Sequence, residues 1–305
     1  MKIVFAGATG FIGRALLTRL VEAHHLVTLL TRNPNAAKSL ADRFVTIEKW
    51  DGHTAGPWIQ YVDSADAVIN LAGESIGARR WTNARKALIL DSRVNATKAI
   101  VAAIGRARKK PTVLVNASAV GYYGNVESGD VTELHERGND FLADVCQLWE
   151  QEAYAAEALG VRVVILRNGV VLERDGGALQ RLMLPFTFFV GGPPGSGRQW
   201  FPWVHRDDVI GAMLFALENQ NLSGAVNCAA PDPVTMKEFC KALGGALRRP
   251  SWAPIPALPL QVLLGEMSQM ILTGQRVVPK KLQEAGYKFK YPKLDQALNA
   301  ILRRS

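Results

Sequence analysis

The sequence predicts an α/β protein: a doubly wound parallel sheet with a smaller C-terminal lobe. Three observations carry this. The chain opens on a short apolar run, MKIVFA, that passes straight into Gly7-x-x-Gly10-x-x-Gly13 and then into an amphipathic stretch. Over the first two thirds, runs of strand length alternate with runs of helix length, the pattern of a parallel sheet covered by helices on both faces. From Pro231 onward the chain reads as helical, punctuated by Pro250, Pro254, Pro256, Pro259, Pro279 and Pro292. The implied division is a sheet domain over residues 1–230, with 170–206 lending loops to a cleft, and a C-terminal lobe over 231–305.

Taken in order, the first strand is Lys2–Ala6. Gly7 lets the chain turn off the strand, Gly10 lets the backbone approach a pyrophosphate, and Gly13 lets the next helix pack closely on the sheet. That helix, Phe11–Ala23, aims unpaired N–H groups and its positive dipole end at the same place. Gly7, Thr9, Gly10, Phe11, Ile12 and Gly13 are therefore candidate cofactor contacts. A second strand, Leu26–Leu30, completes a βαβ unit, which raises the glycine triplet above an ordinary tight turn and marks a Rossmann dinucleotide site. Further strands are expected at Val45–Lys49, Ala67–Leu71, Thr112–Ala117, Arg162–Arg167 and Ala225–Cys228, and helices at Asn83–Arg106, Asn139–Leu159 and Asp208–Glu218. Open α/β sheets bind ligands beyond the carboxyl ends of their strands. Leu71, Ala72 and Gly73, the Asn116-Ala117-Ser118 end and Asn168 then lie along the cofactor. Leu172 to Arg206 reads as Gly/Pro-rich loop, and no internal repeat is visible.

The end of the second strand selects the cofactor. NAD enzymes often place a carboxylate there for the ribose 2′-OH. This chain reads Leu29-Leu30-Thr31-Arg32-Asn33-Pro34, with no acid. Arg32 lies about 20 residues past the glycines, where an arginine accommodates a 2′-phosphate. The expectation is NADP(H) over NAD(H).

Composition narrows the classes. At 305 residues, 48% apolar and 21% charged, the chain has the make-up of a soluble globular protein. No apolar run is long enough to cross a bilayer, since Leu258 to Leu272 is broken by Gln261, Gly265 and Glu266. Strand one begins at residue 2, leaving no room for a secretory leader. Cys146, Cys228 and Cys240 form no CxxC and no Cys/His cluster, so neither a disulfide framework nor a metal site is expected. The cytoplasm is the expected compartment. The net charge of +9 is spread in pairs, Arg79-Arg80, Lys109-Lys110, Arg248-Arg249, Lys280-Lys281 and Arg303-Arg304. A nucleic-acid binder concentrates such pairs on one element with aromatic residues between them, so a small-molecule partner is expected instead.

Several stretches resemble one family. GATGFIG, INLAG at Ile69–Gly73, NASAVGYYG at Asn116–Gly124, VVILRNGVVL at Val163–Leu172 and WVHRDDV at Trp203–Val209 are similar to the extended short-chain dehydrogenases, the nucleotide-sugar epimerase and dehydratase group. GESI followed by RW, YYG, Trp149-Glu150, GSGRQ and GQRVVPKKLQEAG resemble one atypical subgroup, the epimerase family proteins with a C-terminal extension of unknown function. The resemblance spans essentially the whole chain. It implies an NADP(H)-binding reductase or epimerase acting on a small carbonyl or a nucleotide-sugar-like compound; the alternative is a non-catalytic NADP(H) sensor or interaction protein.

One departure bears on the chemistry. The extended family moves protons with a Tyr-x-x-x-Lys pair, whose ammonium lowers the phenol pKa from about 10 toward neutrality. Aligned here, Leu142 and Cys146 take those places; no lysine occurs between Lys110 and Lys237, and no Tyr-x-x-x-Lys occurs anywhere. Ser118 and Tyr123 remain as candidate catalysts, Ser118 one residue from the family's Ser/Thr position at Ala119. A purely binding role for Tyr122 and Tyr123 is equally open. Arg198, in a glycine-flanked turn near Trp200 and Trp203, suits a substrate phosphate, or else belongs to a mobile surface loop. His205 is expected to shape the cleft floor, with Asp207 or Asp208 capping the next helix.

Overall fold

The computed structural model describes residues 1–302, so the basic pair Arg303-Arg304 lies outside the described residues. The first half runs β1 (Lys2–Ala6), α1 (Phe11–Glu22), β2 (Leu26–Thr31), β3 (Val45–Lys49), β4 (Ala67–Asn70), α2 (Asn83–Arg106), β5 (Val113–Ala119), β6 (Asp130–Val131), α3 (Phe141–Tyr154) and β7 (Arg162–Asn168). There follow β8 (Val170–Glu173), β9 (Gly176–Gly177), α4 (Leu179–Thr187), β10 (Trp200–Phe201), β11 (Trp203–His205), α5 (Arg206–Glu218) and β12 (Gly224–Cys228). The chain ends with β13 (Val234–Thr235), α6 (Met236–Leu247), α7 (Ala257–Leu264), α8 (Gln269–Leu272), β14 (Arg276–Val277), α9 (Lys280–Glu284) and α10 (Leu294–Leu302).

The central sheet has seven strands in the order β12-β7-β5-β4-β1-β2-β3, every pairing parallel. It is the doubly wound Rossmann sheet that the alternation predicts. Period-two side chains divide its strands between two cores. Ile3 and Phe5 pack with Leu16, Leu17 and Leu20 of α1 and Val209 to Leu217 of α5. Val4 and Ala6 face the opposite layer, with Ala96 to Ile104 of α2 and Ala153 of α3. Each fully buried leucine or isoleucine contributes roughly 1.5–3 kcal/mol of transfer free energy, so both layers are well anchored. Strand order reverses between β1 and β4, and a crevice opens at such a switch point beyond the strand ends.

Two expected elements differ. The stretch from Leu172 to Arg206 is not simply loop: β8 pairs with β11 and β9, and α4 follows. Its Leu172, Leu179, Phe186 and Trp203 join Phe239, Leu243 and Leu298 in a third core. Apolar residues separated by glycines look like loop in sequence, because their partners lie tens of residues away in the chain. The helix expected over Asn139–Leu159 stops at Tyr154, and a 3-10 turn over Glu157–Leu159 ends on left-handed Gly160.

Candidate functional site

The turn after β1 is built by close packing. Gly7 has φ +90°, and a Cβ there would lie 2.5 Å from the Leu71 carbonyl carbon; one on Gly13 would lie 2.2 Å from the Gly7 oxygen. These two glycines therefore hold β1, α1 and the strand end at β4 together. Gly10 differs, since a Cβ there meets only the Gly7 oxygen at 3.3 Å and otherwise opens outward. Gly10 also occupies the N-cap of α1 with no side-chain acceptor, so the first N–H groups of the helix are available to a ligand anion. A groove of about 580 Å³ opens beside this turn, bordered by Thr9, Gly10, Phe11 and Arg14, and across it by Asp175 and Arg206. Ile12 is half-buried, one residue along α1.

Beyond β4, the Leu71 N–H pairs with Ala6 O at 2.8 Å, and the Ala72 N–H with Asn70 Oδ1 at 3.1 Å. Asn70 is buried and also donates to Asn116 Oδ1 and Thr97 Oγ1, which fixes the strand ends relative to α2. Arg32 leaves β2 with its side chain 69% exposed, and its one charged partner among the described residues is Glu74 at 3.3 Å. An exposed pair of that length is worth at most about 1 kcal/mol. The guanidinium is thus free to exchange Glu74 for a phosphate.

Behind the strand ends lies a closed polar network that the sequence reading did not assemble. The Glu150 carboxylate, on α3, receives Arg167 Nε at 2.9 Å and Nη2 at 2.7 Å. The Ser118 hydroxyl donates to Glu150 Oε1 at 2.6 Å. Arg167 Nη1 donates to the Tyr123 oxygen at 2.9 Å, and the Tyr123 hydroxyl donates to Asn227 Oδ1 at 2.6 Å. All five residues are buried. Burial pushes the Tyr123 phenol up to about 12, against the pull of the neighbouring Arg167 charge. Burial also works against the Arg167 cation, yet the Glu150 hydrogen bonds and charge raise its pKa overall. The two candidate catalysts, Ser118 and Tyr123, are therefore turned inward. Tyr123 is not poised as a base at neutral pH, because the Arg167 charge only partly offsets the desolvation of the phenol. Tyr122 is half-buried, its ring 3.5 Å from the Arg167 guanidinium carbon.

The other expected residues fall in different surroundings. Asn168 is buried at the end of β7; its Nδ2 donates to Ser118 O at 3.3 Å, and its Oδ1 has no partner among the described residues. Arg198 is exposed, and its guanidinium makes no hydrogen bond or ion pair among the described residues; only its backbone N–H is held, by Ser196 Oγ at 3.2 Å. His205 does not form a cleft floor. It is fully buried, its Nδ1 accepts the Asp207 N–H at 2.9 Å as the N-cap of α5, and its ring stacks 3.9 Å from Tyr291. Nor do the acids cap α5 as expected: Asp208 instead accepts the backbone N–H groups of Lys290 and Tyr291 at 2.6 and 3.0 Å. The HRDD stretch is thus a joint to the C-terminal segment: His205 and Asp208 accept backbone N–H groups, Asp207 pairs with Lys290, and Arg206 pairs with Glu173 and Asp175. Cys146, in the position aligned with the lysine, is buried with its thiol pushed up to about 11, first by burial and then by the Glu150 charge.

These features fit a dinucleotide. A glycine turn that a Cβ would not close, an uncapped helix start and the unpartnered Asn168 oxygen all stand at one edge of the sheet. The signals for Glu150 and Arg167 were present in the Trp149-Glu150 and LRNG stretches, but nothing local pairs residues 17 positions apart on a helix and a strand.

Known proteins match throughout the chain. The NAD dependent epimerase/dehydratase family matches residues 3–229, and a domain of unknown function matches residues 255–301. A chloroplastic epimerase family protein of Arabidopsis thaliana, the SDR39U1 homolog, is 42% identical over 99% of this chain and 87% of its own length. The Bacillus subtilis epimerase family protein YfhF is 40% identical, covering 99% of this chain and 98% of its own. The crystal structure of human epimerase family protein SDR39U1 with NADPH superposes with a TM-score of 0.88 at 34% identity, over 100% of both chains.

Proposed function

Because the chain belongs to the NAD dependent epimerase/dehydratase family, we propose that it is an NADP(H)-dependent reductase or epimerase. Its substrate is a small carbonyl or nucleotide-sugar-like compound, and it works without the tyrosine–lysine pair. The observation that carries this reading is the open, uncapped start of α1 at Gly10, with Arg32 at the end of β2 held among the described residues by an exposed pair with Glu74. NADPH in the human relative's structure supports the choice of cofactor. The nicotinamide, when bound, supplies or accepts hydride.

This chain's residues bind and orient. Phe11 and Ile12 would present backbone N–H groups to the diphosphate over Gly10, Arg32 would meet the 2′-phosphate, and Asn168 Oδ1 offers an acceptor at the sheet edge. Leu71, Ala72 and Gly73 form the floor beyond β4. Tyr122, backed by Arg167, supplies an aromatic wall. Arg198 is the exposed cation for a substrate phosphate or carboxylate. Proton transfer through Tyr123 is disfavoured by its pKa of about 12; a reaction whose proton comes from solvent or from the substrate fits best.

The inward locking of Ser118 and Tyr123 favours a second reading, a non-catalytic NADP(H) sensor. A metabolite screen for NADPH oxidation separates the two. A rate in the wild type that is lost in Arg198→Ala, with cofactor affinity kept, establishes the enzyme. Tight NADPH binding without turnover of any carbonyl or nucleotide sugar establishes the sensor.

A further inference from the structure

We propose that Arg93 forms an oxyanion-binding site at the cofactor-facing edge of the sheet, receiving a phosphate or carboxylate of a ligand lying over Gly73. The proposal rests on the reading of that edge as the dinucleotide site and adds a partly buried cation beside Gly73 to the exposed Arg32.

Arg93 sits in the middle of α2, and its side chain leads to the loop after β4. A Cβ on Gly73 would lie 3.1 Å from its Cζ and 3.2 Å from its Nη1. The glycine thus allows a guanidinium to stand against the strand end. On its other side the guanidinium lies 5.2 Å from the Trp149 ring centroid. Trp149 is itself fixed, since its Nε1 donates to Thr97 Oγ1 at 3.0 Å and Thr97 also receives Asn70 Nδ2 at 2.9 Å. The Cys146 thiol is close enough to feel the Arg93 charge. The position aligned with the family's lysine therefore holds a thiol whose pKa burial raises, within electrostatic reach of a cation on the neighbouring helix.

Other partly buried arginines have charged or multiple partners, although Arg85 Nε and Arg206 Nε make no hydrogen bond among the described residues. Arg167 has Glu150, Arg206 has Glu173 and Asp175, and Arg85 has Glu74. Arg162 donates three bonds to the carbonyls of Ala216 and Leu222. Arg93 makes one hydrogen bond, to Ile89 O at 3.0 Å, and no ion pair among the described residues. Glu74, on the same loop, is already shared by Arg32 and Arg85. A guanidinium carries five donors, so most of this one remains uncommitted. Burial disfavours its charge, and an arriving oxyanion offsets that penalty with charge-assisted bonds. The oxyanion can come from the cofactor's diphosphate or from a second ligand.

The test uses the full-length chain with Arg93→Gln, Arg93→Lys and Gly73→Ala, the last of which keeps the charge but crowds the guanidinium. NADPH affinity is measured by calorimetry. Inorganic phosphate binding is followed by ³¹P NMR on cofactor-free and on NADP⁺-saturated protein, with thermal unfolding as the fold control. Arg93→Gln is expected to lose roughly tenfold to a hundredfold in affinity, with partial recovery in Arg93→Lys. Loss of NADPH affinity identifies the cofactor's diphosphate as the source. Kept NADPH affinity, with loss of phosphate binding to the NADP⁺-saturated protein, identifies a second ligand. Unchanged binding of both in Arg93→Gln overturns the proposal, as does a wild type that binds neither. A wild type that binds phosphate but not NADPH removes the dinucleotide reading, and the phosphate titration of the cofactor-free variants then decides Arg93 alone. If Arg93→Gln fails to fold, Gly73→Ala decides: a loss of binding upholds the site and full affinity overturns it.

Discussion

Glu150 and Arg167 form a two-pronged ion pair, Oε1 to Nε at 2.9 Å and Oε2 to Nη2 at 2.7 Å, with each side chain about 95% buried. The pair ties α3 to β7 directly behind the strand ends where the ligand is proposed to lie. It also holds Ser118 and Tyr123 by one hydrogen bond each. Such a pair is weak ground for net stability, but removing one partner strands the other charge without solvent.

Glu150→Ala is therefore expected to destabilise the fold by about 3–5 kcal/mol. Replacing both partners with apolar residues of similar size should recover much of that loss. Denaturant unfolding of the single and double variants measures both. A loss under 1 kcal/mol for Glu150→Ala would mean that the pair is hydrated.

Tyr123 yields a pH prediction. Its phenol is raised in the fold, to about 12, from about 10 in the unfolded chain. A group with a raised folded pKa holds its proton better when folded. Its contribution is therefore complete below pH about 10 and is lost as pH rises toward about 12. Tyr123→Phe should remove that part of the alkaline slope and lose about 1–3 kcal/mol at neutral pH, from the unpaired Asn227 and Arg167 groups. Any turnover should show no ionisation of Tyr123 between pH 6 and 9. Parallel alkaline slopes for wild type and variant would contradict the assignment.

Gly10 and Gly13 should part company. Gly13→Ala places a methyl 2.2 Å from the Gly7 oxygen, so the variant should lose stability or fail to fold. Gly10→Val meets only the Gly7 oxygen, 3.3 Å from its Cβ, and should fold with little loss of melting temperature, yet lose NADPH binding by filling the diphosphate approach. Calorimetric titration of the soluble variant is the check, and unchanged affinity there would move the site elsewhere.

Arg32→Ala should weaken NADPH by about 1.5–3 kcal/mol, the value of a charge-assisted hydrogen bond, and NADH by little. Because the side chain is exposed, the difference should shrink as salt rises. Equal losses for the two cofactors would show that Arg32 does not read the 2′-phosphate.

Much of the molecule was legible in the chain itself. The turn at Gly7 to Gly13, the seven strands of the central sheet and the missing tyrosine–lysine pair are local facts, expressed in spacing, alternation and the plain absence of a lysine. Steric rules act on neighbours, so a reader of neighbours finds them. The fate of each polar side chain was decided elsewhere. Whether Tyr123 is a base or a locked donor depends on Asn227, 104 residues away. Whether His205 meets a ligand or caps a helix depends on Tyr291 filling the space beside it. Arg93 meets Gly73 and Trp149 only because the fold brings the β4 loop and α3 to its side. Backbone conformation follows from short-range sterics, but burial and the choice of hydrogen-bond partner follow from packing between distant segments, and only the folded chain brings those segments together.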